Sequence, residues 1–185
     1  MVAAKISLGS KLGPAHSRWG GNSRHSALLA LACMALLLGC SGDGGSPTEP
    51  SAAEAELQVE AQSFTLLNSA RADAGVTPRL SRAEALRSIA RAHSEAMRNG
   101  DFVAHNGPGT QTLKARLRSA GITYSQAGEN LARVVAIDPA GVAHQQLMAS
   151  PGHRSNILSP EFTRAGVGVA RSGDTFWITQ IFIKP

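Results

Sequence analysis

Apolar positions recur every three to four residues through most of the chain and every two near its end, which predicts helices first and strands last. From Glu54 to Ala74, one stripe joins Leu57, Ala61, Phe64, Leu67 and Ala70, and Gly75 ends the run. "VTPRL" then reads as an extended connector. "SRAE", Ser81 to Glu84, has the form of a capping box, in which the serine hydroxyl and the glutamate satisfy each other's backbone amides. The helix it opens carries Leu86, Ala90, His93 and Met97 on one stripe and closes at Gly100. A third helix fits Thr110 to Ala120, with Leu113 and Leu117 inward and Arg116 and Arg118 outward. Asp138-Pro139 starts a fourth, running to about Ala149, with proline in the first turn.

The period then shortens. "AGVGVA", Ala165 to Ala170, and "TFWITQIFI", Thr175 to Ile183, are β-branched and aromatic, and Arg171 to Asp174 between them is turn-like. This predicts an antiparallel hairpin, with a further short strand at Ile122 to Tyr124. Helices followed by a hairpin give an α+β class, helices packed on an antiparallel sheet.

The first 39 residues follow a different pattern. "ALLALACMALLLG", Ala27 to Gly39, is an apolar run of 13 residues. As a helix it rises roughly 20 Å, short of the ~30 Å hydrocarbon layer. Behind a basic, Gly/Ser-rich start, that length suits the apolar region of an export signal. The run ends "LLGC", which resembles the lipobox of bacterial lipoproteins, with Leu38 bulkier than that slot usually holds. The resemblance implies cleavage before Cys40 and its lipidation, with a membrane as partner and an extracytoplasmic location. Ser41 after the cysteine implies sorting to an outer membrane where one exists. Residues 1–39 are thus read as a signal peptide, 40–53 as a Gly/Ser/Pro-rich disordered tether and 54–185 as the globular domain.

Charge and cysteine content agree with this division. The formal charge is +5, but Lys5, Lys11, Arg18 and Arg24 precede Cys40 without any acidic residue. The remainder is nearly balanced, so a basic nucleic-acid-binding face is not expected. Cys33 lies within the apolar run and leaves with it. The mature chain keeps Cys40 alone, and the fold must hold by its core as a monomer without disulfides.

Three segments set a chemically useful side chain beside glycine: "DFVAHNGPG" with His105, "AGENLA" with Glu129 and "SPGHRSNIL" with His153. None has the local spacing of a zinc motif. Taken one by one, the histidines read as solvated loop residues and Glu129 as the cap of a helical turn. In order, however, "GEN", "SPGHRSNIL", and "AGVGVA" leading into "FWITQIF" resemble the bacterial branch of the CAP superfamily. These are SCP-domain proteins related to cysteine-rich secretory proteins, antigen 5 and plant PR-1. "LLNSARADAGVTPRL" and "ARAHSEAMRNGDFVAH" fit the same pattern, so the resemblance runs from about Ser63 to the C-terminus.

The resemblance implies an α-β-α sandwich and a cleft of two histidines and two glutamates able to hold a divalent metal such as zinc. His105, Glu129 and His153 match three of the four. The second glutamate does not carry over, because "HQQLMASPG" has Leu147 where the pattern has tryptophan. Some relatives are linked to sterol and lipid binding, which adds a hydrophobic ligand to the expectations. Three functions stay open: a surface-anchored binding module for a small ligand or metal, a zinc-dependent hydrolase, and a structural envelope protein. The hydrolase has a counting difficulty. If Glu129 ligates the metal no carboxylate is left as general base, and if it is the base only two histidine ligands remain. Of the other residues, His93 and Trp177 are expected in the core, His144 and Arg154 at the surface, and Ser150 as an N-cap.

Overall fold

The computed structural model describes residues 50–185. The signal peptide, Cys40 and nearly all of the tether lie outside the described residues. The chain enters its first helix, α1 (Ala52–Asp73), through a reciprocal cap. Ser51 Oγ accepts from the Glu54 amide at 3.3 Å, and Glu54 Oε2 accepts from the Ser51 amide at 2.8 Å. The helix therefore begins before residue 54, inside the segment assigned to the tether.

The buried face of α1 keeps only Phe64 and Leu67 of the predicted stripe. It comprises Ala55, Val59, Glu60, Ser63, Phe64, Leu67 and Arg71, while Leu57 is 45% exposed. Two charged residues face inward because each has dedicated partners, something a hydrophobic stripe cannot register. Glu60 Oε2 accepts from Arg87 Nε and Arg91 Nη2, both at 2.7 Å, and Glu60 Oε1 accepts from the Val169 amide at 3.2 Å. Arg71 is fully buried and donates to the carbonyls of Pro78, Ile157, Ser159 and Phe162 at 2.7–3.1 Å.

After α1 come β1 (Ser81–Arg82), α2 (Glu84–Gly100), α3 (Leu113–Ser119), β2 (Gln126–Val135), α4 (Pro139–Ala149), α5 (Pro151–Leu158), β3 (Arg164–Ser172) and β4 (Thr175–Lys184). The strands lie in the order β1-β3-β4-β2. The hairpin β3–β4 is antiparallel, as predicted; β2, in place of the helical turn expected at Glu129, also pairs antiparallel with β4, and β1 runs parallel to β3, so the sheet is mixed. β1 is only two residues long and would leave most of the β3 edge unpaired. Carboxylates of α1 cover it: Glu60 takes the Val169 amide and Glu56 the Arg171 amide, the latter at 2.8 Å.

Helices α1, α4 and α5 pack one face of the sheet around Phe64, Leu67, Leu147, Ile157 and Phe182. On the other face, α2 and α3 pack through Leu86, Ala90 and Leu117 against Ile181 and Ile183. The α-β-α sandwich is the expected one. The α2 stripe Leu86, Ala90, His93 and Met97 is buried as read, and "AGVGVA" has a steric reason. A Cβ on Gly166 would stand 2.2 Å from the Arg87 amide nitrogen, and one on Gly168 would stand 2.0 Å from that of Arg91. The backbone of α2 lies directly on β3 because those side chains are missing.

Two local expectations fail. Ser81 does not cap α2: it sits in β1, its hydroxyl donates to the Thr163 carbonyl at 3.1 Å, and the cap position belongs to Ala83. Ile122 to Tyr124 is not a strand. Those residues pack beside the α2–α3 core, and β2 starts at Gln126, opposite Lys184 of β4. Among the described residues, no helix is long and apolar enough to cross a membrane.

Candidate functional site

Glu129 lies on β2, the strand at the sheet edge, on the face turned towards α2 and α3. Its side chain is 3% exposed, and both carboxylate oxygens are engaged. Arg116 Nη2 donates to Oε1 at 2.7 Å, and His105 Nδ1 lies 2.8 Å from Oε2. A carboxylate only accepts, so Nδ1 carries the proton of this bond, and a neutral His105 keeps its lone pair on Nε2. That ring is 55% exposed, so the free nitrogen belongs to an open surface rather than a sealed cavity.

Arg116 is the site residue that sequence reasoning missed. Expected outward, it is 11% exposed and also donates to the Gln111 carbonyl at 3.1 Å. The available signal lay in Glu129 itself, since an acidic residue inside a strand with apolar neighbours needs a cation.

The loop that carries His105 is held from behind. His93, buried in α2 as expected, has Nε2 3.2 Å from the Ala104 carbonyl, which only accepts, so Nε2 bears the proton. Its Nδ1 is buried without a partner. Burial, and then the Arg116 charge, push the His93 pKa below the usual histidine range. Gly107 contributes too, because a Cβ there would come within 2.0 Å of the Phe102 ring.

His153 arrives on α5, from the opposite face of the sheet, near enough to His105 to feel its charge. Ser150 occupies the N-cap position of α5 and Pro151 the first turn, but the serine side chain makes no capping bond. Asn130 fixes the helix instead: its Nδ2 donates to the His153 carbonyl at 3.1 Å, and its Oδ1 accepts from Asn156 Nδ2 at 2.9 Å. Gly128 leaves room for this, since a Cβ there would stand 2.8 Å from Asn156 Oδ1. The three residues of "GEN" therefore differ in role: Gly128 makes space for Asn156, Glu129 supplies the carboxylate, and Asn130 ties the strand to α5. The His153 pKa is pushed down by burial and then by the nearby His105.

These residues do not fit a three-ligand metal site. Both oxygens of Glu129 are taken, one of them by a guanidinium. Among the described residues, no group of three or more His, Cys, Asp or Glu side chains converges to hold an ion. The zinc set expected from His105, Glu129 and His153 is therefore not assembled.

The remaining expectations divide. Trp177 is 4% exposed, with Arg133 stacked over its ring at 4.9 Å, a core residue as read. Arg154 is exposed, as read. His144, expected at the surface, is only partly exposed. It is half-buried between α1 and α4 with Nδ1 unpartnered, and burial lowers its pKa.

The family model of the cysteine-rich secretory proteins, CAP, matches residues 64–182. The chain belongs to the CAP family. A Bacillus subtilis relative, the uncharacterized protein YkwD, is 37% identical over 136 residues, covering 74% of this chain and 51% of its own length. A second, the uncharacterized membrane protein YlbC of the same organism, is 36% identical over 96 residues, covering 52% of this chain and 26% of its own. The chain thus spans about half or less of the curated relatives it matches. Among solved structures, an extracellular SCP-domain protein of Bacillus anthracis superposes with a TM-score of 0.63 at 29% identity, covering 76% of this chain and 45% of that one. An outer surface protein of Borrelia burgdorferi gives 0.62 at 14% identity, covering 69% and 92%, a likeness of fold alone. At the β2 edge of this CAP sandwich, Glu129 joins Arg116 and His105.

Proposed function

We propose that the chain is an extracytoplasmic protein, tethered to a membrane through lipid on Cys40, whose CAP domain binds a small polar ligand at the β2 edge. The export-like run before Cys40 and the extracellular character of the B. anthracis neighbour support the location. One observation carries the binding reading: Glu129, locked by Arg116, orients His105 so that its exposed nitrogen is an acceptor. His153, whose pKa burial lowers, adds a second ring nitrogen. The ligand class this favours carries hydroxyl, amide or ammonium donors, as envelope saccharides and peptides do. A zinc-dependent hydrolase is the weaker reading, because Glu129 is already committed to Arg116 and His105 and no set of three ligands converges among the described residues.

Two measurements on the exported chain test this. In nitrogen-detected spectra of the imidazoles, wild-type His105 is expected as the Nδ1–H tautomer, and Glu129→Gln as a tautomer mixture. The variant's amide has one acceptor oxygen where the carboxylate has two, so an NH2 group faces one of the two donors. Titration with muropeptides and amino sugars should shift the His105 and His153 signals in the wild type and weaken about tenfold in Glu129→Gln. Calorimetry with zinc should give no binding that depends on His105 and His153. Tight zinc binding lost in both alanine variants would restore the metal reading.

A further inference from the structure

The most exposed large apolar side chains among the described residues sit together, at the far end of β2 from the candidate site. Val135 closes the strand at 70% exposure, and Ile137 stands fully in solvent at 107%. A single exposed aliphatic residue needs no explanation. This pair differs in its setting. With Ala55, Val59, Pro139 and Phe176 it lines an open groove of about 590 Å³. The loop that carries Ile137 is also held in place: Asp138 Oδ1 accepts from Gln62 Nε2 at 2.9 Å and from the Gly141 amide at 3.0 Å. Ile137 is presented to the outside by a turn that the Asp138 carboxylate ties at the surface to α1 and to the start of α4.

The groove lies where the chain enters the domain, since Ala55 is in the first turn of α1 and Ser51 caps that helix. Cys40 is eleven residues before Ser51, a chain length that reaches at most about 40 Å. The opposite end of α1 stands about 33 Å further along the helix. As a flexible coil the same eleven residues span about 20 Å on average, so a lipid on Cys40 keeps the Val135–Ile137 end nearer the bilayer, on average, than the far end of α1. The rim is charge-balanced. Arg171 and Asp174 both line it, with Arg171 Nη2 and Asp174 Oδ1 3.9 Å apart, and its other polar members are Gln58 and Gln62. Such a surface meets lipid through apolar contact and needs no anionic headgroups.

We propose that the Val135–Ile137 end of the domain is a lipid-docking surface, which seats the domain on the bilayer that holds its Cys40 anchor. The inference rests on the lipid-tether reading above. Docking also sets the height of the site. Glu129 and Val135 are six residues apart on one strand, about 20 Å at ~3.4 Å per residue. The histidines would face away from the membrane, towards whatever lies beyond it.

The test uses the full chain produced in a lipoprotein-processing host, with acylation of Cys40 verified by mass spectrometry. The protein is reconstituted into phosphatidylcholine vesicles containing acyl-brominated lipid. Ile137→Cys, Asp73→Cys and Thr123→Cys each carry a fluorescent label on a thiol that is unique once Cys40 is blocked. The label at 137 should be quenched several-fold more than those at 73 and 123, without sensitivity to salt. Adding Val135→Asp should remove that difference while acylation persists. Equal quenching at all three sites in acylated protein overturns the docking surface and leaves the tether standing. Self-quenching at 137 that grows with protein density, without lipid quenching, assigns the face to a second copy and overturns it as well. Absence of acyl chains on Cys40 fails the tether and the docking surface together, and mass spectrometry reads that outcome separately.

Discussion

Replacing Arg71 with methionine tests how the CAP core is closed. The guanidinium is fully buried without a carboxylate partner, and its bonds go to four backbone carbonyls. Those carbonyls come from three places: the connector after α1 (Pro78), the end of α5 and the residue after it (Ile157, Ser159), and the approach to β3 (Phe162). Methionine fills much of the volume but donates nothing. The bonds to Ile157 and Phe162 are wholly buried, and an orphaned buried acceptor costs ~1–3 kcal/mol, so these two alone amount to ~2–6 kcal/mol. Removing a buried cation, whose pKa burial already depresses, offsets part of that. The expected net loss is about 3 kcal/mol out of ~5–15 kcal/mol for a domain of this kind. Urea unfolding should show a lower midpoint with an unchanged slope. Arg71→Lys should lose less, because three donors on one nitrogen can still reach some of the carbonyls. Since two of the bonds hold the end of α5, the His153 ring signals should shift even under conditions where the variant stays folded. A midpoint equal to or above wild type for Arg71→Met would refute the clamp and show the buried charge to be a net burden.

Two further outcomes follow from the packing and the buried rings. Gly168→Ala should destabilise the domain by several kcal/mol in thermal unfolding, because the added carbon collides with the α2 backbone, whereas alanine for glycine in an open site is often stabilising by ~0.4–1 kcal/mol. His93, His144 and His153 all have pKa values lowered by burial. Below about pH 6.5, the unfolded chain takes up protons that the folded one refuses. Their contribution therefore destabilises as pH falls, by at most ~1.4 kcal/mol per pH unit for each ring. Midpoints measured from pH 7.5 down to pH 5 should decline, and His93→Gln should flatten the decline; a flat wild-type profile would contradict the buried-ring account.

Where burial follows hydrophobicity, the sequence predicts the structure well. The α2 stripe and the β3–β4 hairpin are legible because apolar side chains position them, and the start of α4 because Asp138 caps it locally with Pro139 in the first turn. The departures are mostly polar groups used inside. The α1 face differs from its stripe because Glu60 and Arg71 point inward, and Arg116 escapes a local reading because its partner lies thirteen residues away on another element. "GEN" has weak strand propensity, yet it sits in a ladder paired residue for residue with β4, a case of tertiary context overriding local preference. The serine-and-glutamate logic of a capping box is right in kind and wrong in place: the box forms at Ser51–Glu54, while Ser81 is used by the sheet. Of the candidate site, His105, Glu129 and His153 are drawn from their motifs, whereas Arg116, which bonds Glu129, is not.

The inward ions of α1 bear on how the molecule would carry a mechanical load. Any pull delivered through the residues ahead of Pro50 enters at the start of that helix. Glu60 ties its first half to α2 and β3, and Arg71 ties its last turn to three separate stretches of backbone. Force would therefore spread into the sheet as shear across several ionic bonds at once, instead of peeling turns away one at a time.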